Sequence, residues 1–172
     1  FFEYVNAQNL KPIQLVLTHA HLDHVFGINW VHQQYGLTPI LHQADKFIYD
    51  NAANVTRQYG LKMDDLIETD LGLEDGTVLE FGETIFDILH APGHSPGSVC
   101  FYNRKEEYVI AGDVLFEGSI GRTDLPGGDF DTLIRSIKSQ LMVMSDDVLV
   151  YSGHGPLTTI GQERISNPYL QA

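Results

Sequence analysis

The sequence predicts an α/β fold in a single domain spanning residues 1–172. Three observations carry that expectation. Strand-like and helix-like apolar patterns alternate along the chain. No repeat, low-complexity tract or linker interrupts them. And 172 residues suffice for one sizeable core but not comfortably for two. Hydrophobic residues make up 43% of the chain and charged residues 19%, an ordinary balance for a globular protein. No apolar run approaches the roughly 18 residues that a membrane-crossing helix requires.

The elements follow in order. Residues 1–9 place Phe1, Phe2 and Val5 at helical spacing, and "QLVLT" then reads as a buried strand. Leu22, Phe26 and Trp30 at i, i+4 and i+8 predict one helix ending near Gly36. "TPILH" is a short strand. Ile48, Ala52, Val55 and Tyr59 form the stripe of a second helix closed by Gly60. "TVLEF", "ETIFDIL", "SVCFY" and "EYVIAGD" read as successive strands. Phe130, Leu133, Ile134, Ile137 and Leu141 make a third helix behind the turn "LPGGD", and "DVLVYSG" is a last strand.

Charge and cysteine content narrow the function. A net charge of -13 with only 10 lysines and arginines disfavours a nucleic-acid ligand, whose phosphates need cations. Cys100, the one cysteine, sits in a buried-strand pattern, so no disulfide forms within the chain and a structural thiol is expected. The opening "FFEYVNAQNL" lacks the basic segment and apolar run of a secretory signal, so the expected compartment is the cytoplasm.

The chemistry is concentrated at strand ends. "LVLTHAHLDH", "FDILHAPGH", "YVIAGD" and "VLVYSGHG" each run from an apolar strand through a small residue into His or Asp. In layered α/β folds the carboxyl ends of strands gather into sites, so four such ends are expected to converge. His19 and His21, two apart in extended chain, point to one side and can share a cation. Asp23 and His24, where a helix begins, turn away and can serve a second one, as a two-metal hydrolytic site requires. Histidine and carboxylate ligands without thiolate suit Zn²⁺, Fe²⁺ or Mn²⁺. For the other histidines, His32, His42 and His90, packing or capping is the favoured role. His90 also lies close enough to His94 to support it.

These residues resemble the metallo-β-lactamase superfamily. "THAHLDH" fits the T-H-x-H-x-D-H signature, and "PGHSPGS", "AGDVLF" and "SGHG" follow in the family's order. The resemblance implies an αββα sandwich and two divalent ions, zinc first, with iron or manganese as alternatives. It implies that His19, His21 and His94 hold one ion, that Asp23, His24 and His154 hold the other, and that Asp113 bridges them. Asp23 and Asp113 are thereby the expected catalytic carboxylates. In relatives, a pair of strands and an "IDPG"-like turn precede the helix that resembles residues 1–9. This sequence starts at that helix without a methionine, so a fragment is expected, with an exposed sheet edge and apolar face that favour self-association.

Two metal ions of this kind lower the pKa of a shared water, hold the hydroxide between them and polarise an acyl oxygen. A thiolate, with a conjugate-acid pKa of about 8.5, leaves without much protonation, which makes a small-molecule acyl thioester an easy substrate. "GDVLFEGSIGRTDLPGGD" and "SGHGPLTTIGQERISNPY" resemble the short glyoxalase II-like branch, whose members hydrolyse acyl-glutathione-type thioesters. Arg122 falls where related enzymes place a basic residue near the thiol carrier. An ion pair with Asp124 or Asp129 is an equal expectation for it. The alternatives are a mono-iron persulfide dioxygenase of the same superfamily, against which "GHGPLTTIG" argues, and a non-catalytic metal-binding module.

Overall fold

The computed structural model describes residues 1–171. Its helices are α1 (Phe2–Ala7), α2 (Leu22–Val25), α3 (Ile28–Tyr35), α4 (Lys46–Gln58), α5 (Phe130–Ser136) and α6 (Ile160–Ser166). Strands β1 (Leu15–Val16), β2 (Pro39–Leu41) and β3 (Asp70–Leu71) form a parallel three-stranded sheet. The larger sheet has the order β11-β10-β7-β6-β5-β4, from β4 (Val78–Phe81), β5 (Thr84–His90), β6 (Val99–Asn103), β7 (Tyr108–Gly112), β10 (Leu149–Ser152) and β11 (Thr158–Thr159). A small hairpin, β8 (Leu115–Phe116) and β9 (Ser119–Ile120), follows β7. No helix among the described residues is long and apolar enough to cross a membrane.

Three apolar clusters define the layers. Leu17, Val25, Ile28, Leu41 and Tyr49 join the small sheet to α2–α4. Phe86, Ile88, Val99 and Phe101 pack against Val16 and Ile40 between the two sheets. Val109, Ala111, Leu133, Ile137, Leu141 and Val150 join the large sheet to α5 and the π turn, Ile137–Leu141, that follows it. The result is an α/β/β/α sandwich, as the resemblance implied. Cys100 is fully buried in β6, where desolvation pushes its thiol up to about 12 and keeps it inert.

Several elements depart from the periodicity. The expected helix from Leu22 to Gly36 is two helices broken at Phe26 and Gly27. Val25 before the break and Ile28 after it both face the core. Phe26 and Trp30 therefore lie exposed, and Trp30 packs edge-on against Phe2 of α1. On α4 the buried stripe is Tyr49, Ala52, Ala53 and Thr56, so Val55 and Tyr59, read from sequence as core, face solvent. Phe130 is likewise exposed. Helix α6 escapes the sequence reading, although the Thr159 side chain accepts from Gln162 N at 3.1 Å in a T-x-x-Q cap. Its buried Glu163 accepts from Gly118 N, Thr158 Oγ1 and Asn167 Nδ2, tying the C-terminal segment to the β8–β9 hairpin.

Topology sets up the site. β5 and β7 both run antiparallel to β6, and β10 runs parallel to β7, so all three end on one edge of the large sheet. β1 is docked to that edge by a hydrogen bond from Val99 N to Thr18 O at 2.8 Å. The four strand ends therefore converge.

The small sheet packs on β5 and β6, leaving the same face of β7 and β10 uncovered. Ile110 and Tyr151 stand there exposed, beside Tyr108, and β1 pairs with β2 on one side only. An apolar sheet face beside an open strand edge favours association of like copies. The sedimentation coefficient is expected to rise with protein concentration and to stay at the monomer value when Ile110 and Tyr151 are both changed to Lys. A monomer at every concentration would show that this face does not associate.

Candidate metal centre

The loop after β1 is extended through His21 and enters α2 at Leu22, which splits its four ligands into two pairs. His19 and His21 meet His94, carried by the loop after β5: His21 Nδ1 lies 2.8 Å and His19 Nε2 lies 3.2 Å from His94 Nε2. Asp23 and His24 meet Asp113, after β7, and His154, after β10. His154 Nε2 lies 2.9 Å from Asp23 Oδ2. Within each group one ligand atom per residue lies within 4.8 Å of all the others. Asp113 stands between the groups, with Oδ2 at 3.5 Å from His154 Nε2 and 3.7 Å from His94 Nε2. All seven sequence-predicted ligands are brought together.

Protonation follows from the surroundings. Burial and the neighbouring imidazoles push His19 far below the usual histidine range, and burial with His94 beside it takes His21 down to about 4. Burial lowers His94 as well. Burial also acts against a charge on His24, but its attraction to Asp113 and Asp23 more than offsets this and leaves its pKa raised. Desolvation pushes the Asp113 carboxyl up, while His24, His94 and His154 pull it further down, so it stays ionised. His94 Nδ1 is 2.8 Å from the carbonyl of Arg122, which can only accept, so the proton sits on Nδ1 and the Nε2 lone pair faces the cluster.

These residues fit divalent metal ions. Three neutral imidazoles point nitrogens at one another in a buried pocket, and only a proton or a cation between them relieves that arrangement. His24 Nε2 and Asp113 Oδ1 are buried without a hydrogen-bond partner and face each other at 3.4 Å, longer than a formed hydrogen bond. A side chain at Gly153 would overlap Asp113 Oδ1, so glycine is needed beside this carboxylate.

The principal residue missed from sequence is Asp45. Its carboxylate is fully buried and accepts from Ala20 N and Ser95 Oγ at 2.8 Å and from Gly97 N at 2.6 Å. It thus clamps the loop of His19 and His21 to the loop of His94. No local pattern marks it out, because its partners lie 25 to 52 residues away. His90 donates through Nε2 to Pro96 O at 2.8 Å and stacks on His42 with centroids 4.0 Å apart, so it supports the His94 loop. His42 caps the turn at Gln43–Asp45 by accepting from Ala44 N, and His32 donates to Leu37 O. The Arg122 guanidinium is exposed and pairs bidentately with Asp124 at 2.7 and 2.8 Å; Asp129 instead caps α5 by accepting from Thr132 N.

An α/β/β/α sandwich with two His/Asp ligand clusters at its strand ends defines a class, and the chain belongs to it: the family model for the metallo-beta-lactamase superfamily matches residues 2–154. Among particular relatives, the hydroxyacylglutathione hydrolase GloC of Haemophilus influenzae is 41% identical over 166 residues, covering 95% of this chain and 77% of its own. The crystal structure of the BLEG-1 B3 metallo-beta-lactamase superposes with a TM-score of 0.91 at 38% identity, over 99% of this chain and 83% of that one. TTHA1623, crystallised in a di-iron-bound form, gives 0.90 at 39% identity, over 98% and 83%.

Substituting Asp45 tests the clamp. Asp45→Ala removes the acceptor of three hydrogen bonds, two of them to backbone N–H groups. It is expected to weaken Zn²⁺ affinity by about 10- to 100-fold in a competition titration, and to lower the melting temperature of the metal-free chain. Unchanged affinity would mean that the ligand loops hold their places without it.

Proposed function

We propose that the protein is a binuclear metal-dependent hydrolase that cleaves acyl thioesters. The observation that carries this reading is the meeting of two ligand clusters at one shared carboxylate, Asp113, at the sheet edge where strand-end loops leave an opening. His19, His21 and His94 would hold one ion and Asp23, His24 and His154 the other, with Asp113 serving both; zinc suits this donor set best. When bound, such a pair of ions supplies a Lewis acid for the acyl oxygen and an acidified water as nucleophile.

The chain's own residues prepare that chemistry. Burial keeps His19, His21 and His94 neutral and available as donors. The Arg122 carbonyl fixes the His94 tautomer, and Asp45 holds two ligand loops in register. In the reaction the oxygen of water bonds to the acyl carbon and the C–S bond breaks. The electron pair leaves with sulfur, giving a carboxylate, a thiol and one proton. A thiolate needs little help to depart, so the reaction does not depend on a dedicated proton donor beside the two clusters. The similarity to a hydroxyacylglutathione hydrolase over 95% of the chain supports the thioester class.

Two outcomes test the reading. Asp113→Asn removes a ligand from both clusters and is expected to lower kcat/KM on an acyl thioester by roughly 100-fold or more. His90→Ala touches only the support of His94 and should cost about tenfold or less. Equal losses would contradict the bridging role. Removing metal with a chelator should lower the melting temperature by roughly 10 °C if ions are normally present at about a thousandfold over Kd. Adding Zn²⁺ back should restore it, and a chelator-insensitive melt would argue against metal binding.

A further inference from the structure

A cleft of about 290 Å³ opens directly beside the ligands, with His21 and Asp23 in its floor. One wall is the solvent face of α4, where Phe47 and Val55 lie about two turns apart and Tyr59, just past the helix end, follows one turn later. The other is the loop carrying Leu125 and Pro126, and Leu22 completes it. Phe47 is 71% and Tyr59 68% exposed, although α4 already has a separate buried stripe for the core. Apart from the ligand residues His21 and Asp23 and the Tyr59 hydroxyl, its polar lining is the uncharged Asn51 and Gln58, and no lysine or arginine lines it. The nearby cations are committed elsewhere, Lys46 to Asp50 and Arg122 to Asp124. The chain as a whole is strongly acidic.

Resting on the hydrolase reading above, we infer that this cleft holds the acyl chain of the substrate and that the acyl group is apolar. Thiol carriers bearing carboxylates or phosphates require cations that the cleft does not offer, whereas an alkyl chain matches its walls. With the acyl chain laid along α4, the thioester carbonyl reaches the ligands at His21 and Asp23. The carrier is left outside the cleft. The volume, at the small end of ligand pockets, suits a chain of a few carbons.

The test uses the zinc-loaded chain and a series of thioesters of one carrier, glutathione, with acyl groups from acetyl to octanoyl and lactoyl beside propanoyl. Expected is a rise in kcat/KM of roughly fourfold per added methylene until the cleft is filled, with propanoyl preferred over lactoyl. Val55→Asp and Phe47→Ser should flatten that dependence. In parallel, calorimetry with inert S-alkyl thioethers of glutathione should give a binding heat capacity that grows more negative with chain length in the parent and not in Val55→Asp. Hydrolysis with no chain-length dependence overturns the acyl cleft and leaves the hydrolase. Chain-length-dependent thioether binding without hydrolysis overturns the hydrolase and leaves the cleft.

Discussion

Seven histidine and aspartate side chains, among them three buried imidazoles that crowd nitrogen against nitrogen, are held within a few ångströms, and the fold is organised around that constraint. His24 and His154 are attracted to the Asp113 and Asp23 carboxylates, but the buried His19, His21 and His94 crowd nitrogen against nitrogen, and nothing among those three draws them together. The backbone supplies the restraint. β5, β7 and β10 point the same way in one sheet, and their ends deliver His94, Asp113 and His154 to one edge. β1 brings the remaining four ligands from the other sheet, and the Val99 to Thr18 hydrogen bond sets the depth at which they arrive.

Holding strand ends is not enough, because the ligands lie on loops beyond them. The Asp45 carboxylate, at the entrance to α4, spends its acceptor capacity on backbone N–H groups of two ligand loops and on Ser95. Burial makes each of these bonds costly to leave unmade, which turns two loops into one rigid unit. Close packing completes it. Side chains at Gly97 and Gly153 would collide with Asp45 and Asp113 respectively, so these loops approach the carboxylates as nearly as backbone can. α4 therefore has two duties: its first residues anchor the centre through Asp45, and its outer face forms a wall of the cleft.

The surfaces that packing leaves open differ in character. The uncovered face of β7 and β10 is a broad, shallow depression of about 720 Å³, built from tyrosines and Ile110, and lies on the side of the ligands where His24 and Gly153 are found. The cleft along α4 is narrow and enters the ligands from His21 and Asp23. A broad, open apolar face suits another surface and a smaller apolar cleft suits a chain, so the two openings call for different occupants.

The clustering of the seven candidate ligands was legible in the sequence by itself, because metal chemistry restricts donors to a few residue types and strand ends fix where they fall. "THAHLDH" carries both pairs within seven residues, and the apolar runs before His94, Asp113 and His154 mark the same position on three strands. The alternation of strand and helix likewise gave the α/β class. What only the tertiary structure decided is which face of each element is covered. The helix expected from Leu22 to Gly36 breaks at Phe26 and Gly27 with Val25 and Ile28 both turned inward, and α4 buried Tyr49, Ala52, Ala53 and Thr56 in place of Val55 and Tyr59. Periodicity reports that a helix has an apolar stripe, but when two stripes compete, as on α4, the choice depends on which layer packs against it. Asp45 was hidden for a related reason: its value lies entirely in hydrogen bonds to residues 25 to 52 positions away, which exist only once both loops are folded.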